Sequence, residues 1–236
     1  DQQSSALMRV LEAGIEENAN FSLNSILDRL RTSSQYGESL ANKLEPFIKS
    51  QPFREGTDSA WEQMLTTPTN LVHVLQLKGL AREIQKLVTE FVLWDLYDYA
   101  SNNGNKNRPI PIVLDEIQNL DHRSDSPIDK MLREGRKLGL SLILATQTTS
   151  QFDQEQRDRL FQAGHKLFFK PANTEINRFA DLLSVATGIS KNDWGERLAK
   201  LQKGQCWSLG AVLSSSGNLK DKAELVSVTS LEARDL

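Results

Sequence analysis

The chain has 236 residues, of which 39% are hydrophobic and 25% are charged, and its formal net charge is −3. This length suits one domain, or one domain with a helical addition, and the composition is that of an ordinary globular protein. The slight negative charge excludes the broadly basic surface of a simple DNA-binding domain, although a protein can also contact nucleic acid through a few loops.

The cysteine count and the apolar runs indicate the compartment. The only cysteine, Cys206, excludes an internal disulfide and a cysteine-rich metal site. The longest apolar runs, such as LSLILA at 140–145, are too short to cross a bilayer, and no signal peptide is visible. We therefore expect a reduced, cytoplasmic location and no membrane segment.

The first 60 residues predict a helical segment. Ser22 is a candidate N-cap for the helix LNSILDRLR, and a second helix is predicted over about 38–49. After Pro68 the pattern changes to alternating strands and helices. The sequence therefore predicts two parts, a helical segment or insertion at 1–60 and an α/β core at 61–236.

Short apolar runs and helical patterns alternate through this core. Helices are predicted at about 81–99, from Ser126 to Gly139, and at 173–188. The predicted strands cover 70–80, 110–114, 140–147, 165–170, 204–213 and 223–231. Because the strand runs are continuously apolar, they favour a mostly parallel sheet with helices on both faces.

Two strands of this sheet end in polar residues. Asp115 and Glu116 follow PIVL directly, and Gln147 ends the next strand, SLILATQ. Ligands of parallel α/β sheets bind at the carboxyl ends of the strands. There an aspartate can hold a Mg²⁺ shell and a glutamate can orient or deprotonate a water. The alternative is an ordinary polar exit from each strand.

The helix between these strands carries a basic face. Arg133 and Arg136 lie on it with Lys130 and Lys137, opposite an apolar face. A solvated basic surface is the simpler interpretation. The functional interpretation is an arginine that reaches the nucleotide of a neighbouring subunit, which is worth roughly 10³ to 10⁵ in rate.

A phosphate-gripping loop is missing from the sequence. The motif G-x-x-x-x-G-K-[ST] needs a Gly-Lys pair, and none of the 13 glycines is followed by lysine. Either the chain is no nucleotide hydrolase or the loop lies upstream of Asp1. The start at Asp1, directly in a helical pattern, favours a piece of a longer protein.

The run PIVLDEIQNL, followed by LREGRKLGLSLILATQT, resembles the HerA/FtsK superfamily of ring-forming, ATP-driven motors. The resemblance covers about residues 60–230 and includes the late strand KGQCWSL. It implies a RecA-like P-loop NTPase core that is truncated before the Walker A loop. Within the superfamily, the sequence is most similar to the helicase-like ATPases of phosphorothioation-dependent DNA restriction.

The resemblance also implies roles for individual residues. Asp115 would be the Walker B residue of the metal shell, Glu116 the catalytic carboxylate, and Gln147 the sensor of the γ-phosphate. Either Arg133 or Arg136 would act in trans, and the sequence does not choose between them. Arg178 is a weaker candidate, for which a surface role is the simpler interpretation.

The implied function is ATP hydrolysis with Mg²⁺, coupled to movement along DNA in anti-phage defence. The implied partners are DNA, other subunits of the restriction complex, and further copies in a hexameric ring. A VirB4-like motor that moves protein and a non-catalytic assembly module are the alternatives. Without a phosphate loop, this chain alone is expected to be inactive.

Tryptophans receive a structural interpretation, as core or interface residues. Trp194 differs because it lies in the polar stretch SKNDWGERL, which reads as a loop. An exposed tryptophan there would be a candidate contact residue.

Overall fold

The computed structural model describes residues 1–17, 22–51, 61–66, 72–213 and 216–229. In this part the chain is a mixed α/β protein with two compact units, Asp1–Tyr99 and Ala100–Leu236. The boundary between these units lies at a different position from the predicted division into 1–60 and 61–236. That division stays a prediction. No helix in these ranges is both long enough and apolar enough to cross a membrane.

The first unit is helical. Its elements are α1 (Gln2–Glu16), α2 (Leu23–Ser33), α3 (Gln35–Lys49), α4 (Trp61–Thr66) and α5 (Arg82–Asn103), which continues into the second unit. Ser22 Oγ accepts the Ser25 amide at 3.1 Å, which confirms the predicted N-cap of α2. The core is apolar, and its buried members include Leu30, Ala41 and Val88.

The strand predicted at 70–80 is wrong for its described part. Residues 72–77 form neither helix nor strand, and Val72 and Val74 are 78% and 82% exposed. Residues 70 and 71 lie outside the described residues. Valine-rich runs favour strands only where a neighbouring strand and a packed face support them, and the described residues supply neither here.

The second unit contains all five described strands. Its strands are β1 (Ile110–Leu114), β2 (Leu140–Leu144), β3 (His165–Phe169), β4 (Gln205–Leu213) and β5 (Leu219–Ser227). Its helices are α6 (Pro127–Glu134), α7 (Gln154–Phe161), α8 (Asn173–Thr187) and α9 (Lys191–Ala199). Two short 3-10 turns, Ile117–Asn119 and Gly135–Leu138, complete the unit.

The strands form two described sheets rather than one parallel sheet. β1 and β2 pair in parallel, as predicted, whereas β3, β4 and β5 form an antiparallel sheet in that order. Apolar content alone does not give strand direction. Two helices, α8 and α9, separate β3 from β4 in the chain, and the two strands pair in antiparallel. In the described part Val113 is 69% and Ile143 is 56% exposed, so the apolar runs of β1 and β2 are not buried on both faces.

The predicted start and end signals of the helices are confirmed. Ser126 caps α6 through its side chain, and Pro127 occupies the first turn. Gly139 (φ 72°) ends the following 3-10 turn and Gly188 (φ 74°) ends α8, both in the left-handed region that favours glycine. Each glycine ends its element shortly before the next element begins, β2 at Leu140 and α9 at Lys191.

The interpretation of Trp194 as a loop residue is wrong. It lies in α9 and is completely buried, and its ring meets Trp207 edge-on at 4.8 Å. Its Nε1 donates to Thr187 Oγ1 at 2.8 Å, which satisfies its polar atom. Trp194 is therefore a core residue of the second unit, packed with Leu183 and Leu198.

Candidate active site

The carboxyl ends of β1 and β2 lie side by side. Leu114 is in register with Leu144, and the pairing continues past both strand ends. The Ala145 amide donates to Leu114 O at 2.9 Å, and the Ile117 amide donates to Ala145 O at 3.1 Å. These bonds hold 115–118 beside 145–147, and we call these two segments the carboxyl rim.

Two of the predicted site residues contact each other in this rim. Gln147 Nε2 donates a hydrogen bond to Glu116 Oε1, although the two residues are 31 positions apart. Glu116 is half-buried and Gln147 is exposed. The parallel pairing of β1 and β2 thus brings the carboxylate and the amide to one place that solvent can reach.

The backbone at Glu116 adopts an unusual conformation. Its φ of 53° and ψ of 42° lie in the left-handed region, which costs a residue with a side chain about 1–2 kcal/mol. Asp115 Oδ1 accepts the Glu116 amide at 2.8 Å. Conformations of this kind concentrate at functional sites, where the surroundings hold them in place. The bend turns the chain from β1 into the 3-10 turn that carries Gln118.

Gln118 is a member of the site that the sequence interpretation missed. Its Nε2 donates to Glu116 Oε2, and Thr146 Oγ1 donates to Gln118 Oε1 at 2.6 Å. Both Glu116 oxygens thus accept from neutral amides, and the bonds link the two strand exits. The sequence signal for Gln118 was an amide side chain two residues after Glu116. The 3-10 turn brings this side chain back to the rim.

The negative charge of the rim has no cationic partner among the described residues. Asp115 and Glu116 take part in no ion pair there, and Asp115 is exposed with Oδ2 free of protein partners. No group of three or more His, Cys, Asp or Glu side chains forms a metal cluster in the described ranges. Mg²⁺ commonly uses one or two carboxylates together with waters and substrate phosphates. The donor set at Asp115 fits that mode rather than an all-protein cage.

Arg133 is engaged within its own chain. Its Nη2 contacts Asp129 Oδ2 at 2.6 Å and Asp125 Oδ1 at 3.2 Å, and the charge of Asp129 is the main cause that raises the Arg133 pKa. Asp129 is 1% exposed, and Arg159 Nη1 contacts its Oδ1 at 2.5 Å. Arg159 also donates to the carbonyl oxygen of His122 at 3.3 Å. We call this set the Asp129 network.

The sequence interpretation also missed Asp129 and Arg159. The spacing of Asp129 and Arg133, four residues apart on one helix, is a recognisable signal for an ion pair. Nothing local indicated Arg159, because it comes from α7, 30 residues further along. The network ties the loop before α6 to α6 and α7.

Arg136 differs from Arg133 although both lie on the predicted basic face. It is exposed on the 3-10 turn Gly135–Leu138, and it takes part in no ion pair with a described residue. The structure therefore separates the two arginines that the sequence could not separate.

Arg178 lies beside the segment that follows β2. Its Nη1 donates to Thr149 Oγ1 at 2.9 Å and contacts Glu175 Oε2 at 3.5 Å, while 42% of its side chain stays exposed. Because Thr149 is two residues beyond Gln147, Arg178 belongs to the surroundings of the rim as well as to the surface.

A scan of this chain against protein-family models gave no match. A search of the curated proteins likewise found no matching protein.

Proposed function

We propose that the chain is the Walker B half of a RecA-like ATPase of the HerA/FtsK superfamily. In this proposal it hydrolyses ATP to move along DNA in the cytoplasm, as part of a hexameric ring. It works with the other subunits of a phosphorothioation-dependent restriction complex. The observation that supports it is the contact between Glu116 and Gln147 at the shared rim of two parallel strands.

Each rim residue has a chemical task in this proposal. Mg²⁺, bound with ATP, would supply charge neutralisation at the phosphates. Asp115 would hold its water shell through Oδ2, because Oδ1 accepts the Glu116 amide and Oδ2 has no partner among the described residues. Glu116 would orient or deprotonate the attacking water, and Gln147 would contact the γ-phosphate. Gln118 would keep the Glu116 carboxylate in its place.

The lack of positive charge at the rim also supports a phosphate-linked cation. Asp115 and Glu116 leave carboxylate oxygens at the rim without a described cationic partner, and such oxygens can bind a divalent cation together with its waters. A divalent cation would arrive there with the nucleotide. The rim would thereby bind nucleotide and cation as one unit.

Arg136 is the better candidate for the arginine that acts in trans. An arginine finger has to extend toward another subunit, and Arg136 is exposed and free of described ion pairs. Withdrawing Arg133 would leave the buried Asp129 with one cationic partner fewer. The proposed trans residue is therefore Arg136.

Tight ATP binding requires backbone amides around the phosphates, which a Walker A loop normally supplies. Since no glycine of this chain precedes a lysine, that loop has to come from polypeptide outside these 236 residues. The RecA-like core likewise needs further strands beside the described parallel pair of β1 and β2.

The decisive experiment is an ATPase assay on the polypeptide that includes the missing loop, with and without duplex DNA. Hydrolysis that DNA stimulates is the expected result. Hydrolysis without any response to DNA would instead support a motor that moves protein. No hydrolysis, together with a longer sequence that lacks Gly-Lys-Ser/Thr, would contradict the proposal and support a non-catalytic assembly module.

A further inference from the structure

A second polar cluster holds the segment that follows Gln147. Glu175, in the first turn of α8, is 3% exposed and accepts three hydrogen bonds from this segment. Thr148 Oγ1 donates to Glu175 Oε1 at 3.1 Å, the Thr149 amide donates to the same oxygen at 3.2 Å, and Thr149 Oγ1 donates to Oε2. Arg178 adds its contact to Thr149 Oγ1 from the outer side.

These bonds are unusual for a glutamate at the third position of a helix. Such a residue often reaches back to accept the backbone amide of its own N-cap, whereas the bonds of Glu175 go to Thr148 and Thr149. Glu175 instead uses both oxygens on a loop that is 26 residues away in sequence. It is thus a charged, buried group whose hydrogen bonds serve a distant segment.

The segment itself is short and has few other supports. The Thr148 amide donates to Thr146 Oγ1 at 3.3 Å, and the Ser150 amide donates to Thr148 Oγ1 at 3.1 Å. The first bond joins the segment to Thr146 of the carboxyl rim, and the second stays within the segment. The anchor of the segment to α8 is therefore Glu175, and Gln147 lies directly before the anchored residues.

We propose that Glu175 and Thr149 are positioning residues that hold the Gln147 amide against Glu116 and in reach of the γ-phosphate. This inference rests on the proposed ATPase function for its effect on rate, but its structural part can be tested without ATP. The pair would connect α8 to the site, so that movement of α8 changes the position of the sensor amide. Arg178 would strengthen the anchor from the solvent side.

The first experiment measures position directly in the 236-residue chain. Glu175→Gln and Thr149→Val each remove a bond of the anchor while they keep the side-chain volume. We expect both to shift the NMR signal of the Gln147 side-chain amide and to speed amide exchange at 148–150 about 10-fold or more. Thr149→Ser keeps the hydroxyl and should restore both properties. An unshifted Gln147 signal together with unchanged exchange would overturn the proposal.

Thr187→Val provides the matched control. Thr187 lies at the other end of α8, about 18 Å along the helix axis, and its hydroxyl also supports a buried partner, Trp194. The control removes a comparable hydroxyl from the same helix. It should leave the Gln147 signal and the exchange at 148–150 unchanged. An equal effect of the control would mean that general loosening of α8 explains the result, which would overturn the proposal.

The second experiment measures turnover in the polypeptide that includes the phosphate loop. We expect Glu175→Gln and Thr149→Val to lower kcat about 10- to 100-fold and to change KM for ATP less than about 2-fold. Equal losses in Thr187→Val would contradict the proposal. If the unmodified polypeptide hydrolyses no ATP, the proposed function fails, and the NMR experiment alone decides whether Glu175 positions Gln147.

Discussion

The carboxyl rim and the Asp129 network use carboxylates in opposite ways. In the network Asp129 is almost fully buried and is held by two guanidinium groups, Arg133 and Arg159. In the rim Glu116 is half-buried and accepts hydrogen bonds from neutral amides only. The network neutralises its negative charge internally, whereas the rim leaves its carboxylates without a cationic partner among the described residues.

This difference separates stability from chemistry. Loss of one partner of a buried, paired carboxylate destabilises the fold, because it leaves an uncompensated charge. A carboxylate that is positioned but not neutralised can bind a cation or polarise a water. Substitutions in the network should therefore change stability, and substitutions in the rim should change turnover.

The largest effect is expected when the two arginines of the α6 region are compared. Arg136→Ala should lower the ATPase rate of the assembled ring about 10³- to 10⁵-fold, as loss of a trans arginine does, with little change in stability. Arg133→Ala should instead lower the free energy of unfolding, because it removes a partner of Asp129. ATPase assays and denaturant unfolding on both variants make the measurement. If Arg133→Ala alone abolishes turnover in a stably folded ring, the assignment is reversed.

Glu116→Gln should have the next largest effect. The amide keeps the shape of the side chain but cannot accept a proton from water, so turnover should fall about 10²- to 10⁴-fold while ATP stays bound. Rate and nucleotide binding are measured on the same preparation of the polypeptide with its phosphate loop. Glu134→Gln, on an exposed position of α6, is a suitable control of equal chemistry. Normal turnover in Glu116→Gln would remove this residue from the mechanism.

Asp129→Asn tests the network. The partly exposed Arg133 and Arg159 would lose their buried charged partner, and the loss of these charged hydrogen bonds should cost about 1.5–3 kcal/mol of unfolding free energy. Urea unfolding followed by circular dichroism measures this loss. Asp125→Asn is the matched control, since Asp125 is exposed and its ion pair is with Arg133 alone among the described residues. The loss of unfolding free energy in this variant should stay below about 1 kcal/mol. Equal losses in both variants would contradict the central role of Asp129.

Gln118→Ala should have a moderate effect on rate. It removes the donor to Glu116 Oε2 and the acceptor of Thr146, so the carboxylate keeps only its bond from Gln147. We expect kcat to fall about 10-fold with KM nearly unchanged. Gln118→Glu would place like charges together and should lower kcat further. An unchanged kcat in Gln118→Ala would show that the second amide is not needed.

The smallest expected effect is a pH dependence that comes from Glu175. Burial raises the pKa of its carboxyl group, but the hydrogen bonds from Thr149 and Thr148 and the charge of Arg178 outweigh it and place the pKa below its ordinary value of 4.5. A lowered pKa in the folded state stabilises the fold above the unfolded-state value, and this contribution is lost as the pH falls through the folded-state pKa. The stability difference between the unmodified chain and Glu175→Gln should thus be constant above pH 4.5 and shrink below it. Denaturant unfolding at a series of pH values measures it, and a difference that grows on acidification would contradict the sign.

Local signals in the sequence predicted much of the second unit. The Ser126–Pro127 start of α6 and the glycines at 139 and 188 were found because each rests on contacts within a few residues, and the strand before Asp115 was found from its apolar run. The convergence of Glu116 and Gln147 was predictable because parallel strands share one rim. The anchor at Glu175 was not, since the Glu175 side chain accepts from a backbone amide 26 positions away in sequence.

The wrong predictions share one physical cause. A stretch of sequence does not show which strands or helices pack against it in the fold. Apolar content suggested a strand at 72–77 that has no pairing partner among the described residues, and a parallel direction for β3, which pairs with β4 in antiparallel. β5 begins at Leu219, four residues before the predicted start at 223, because pairing with β4 extends the strand into polar sequence. The polar residues around Trp194 suggested a loop, whereas Trp194 lies on the buried face of the helix α9.

The buried Trp194 also gives the second unit its own optical reporter. The chain has four tryptophans, and Trp61 and Trp94 lie in the first unit while Trp194 and Trp207 lie in the second. A fully enclosed indole emits at shorter wavelength than a hydrated one. Exchanging Trp61 and Trp94 for phenylalanine would therefore leave a fluorescence signal that follows the melting of the second unit alone.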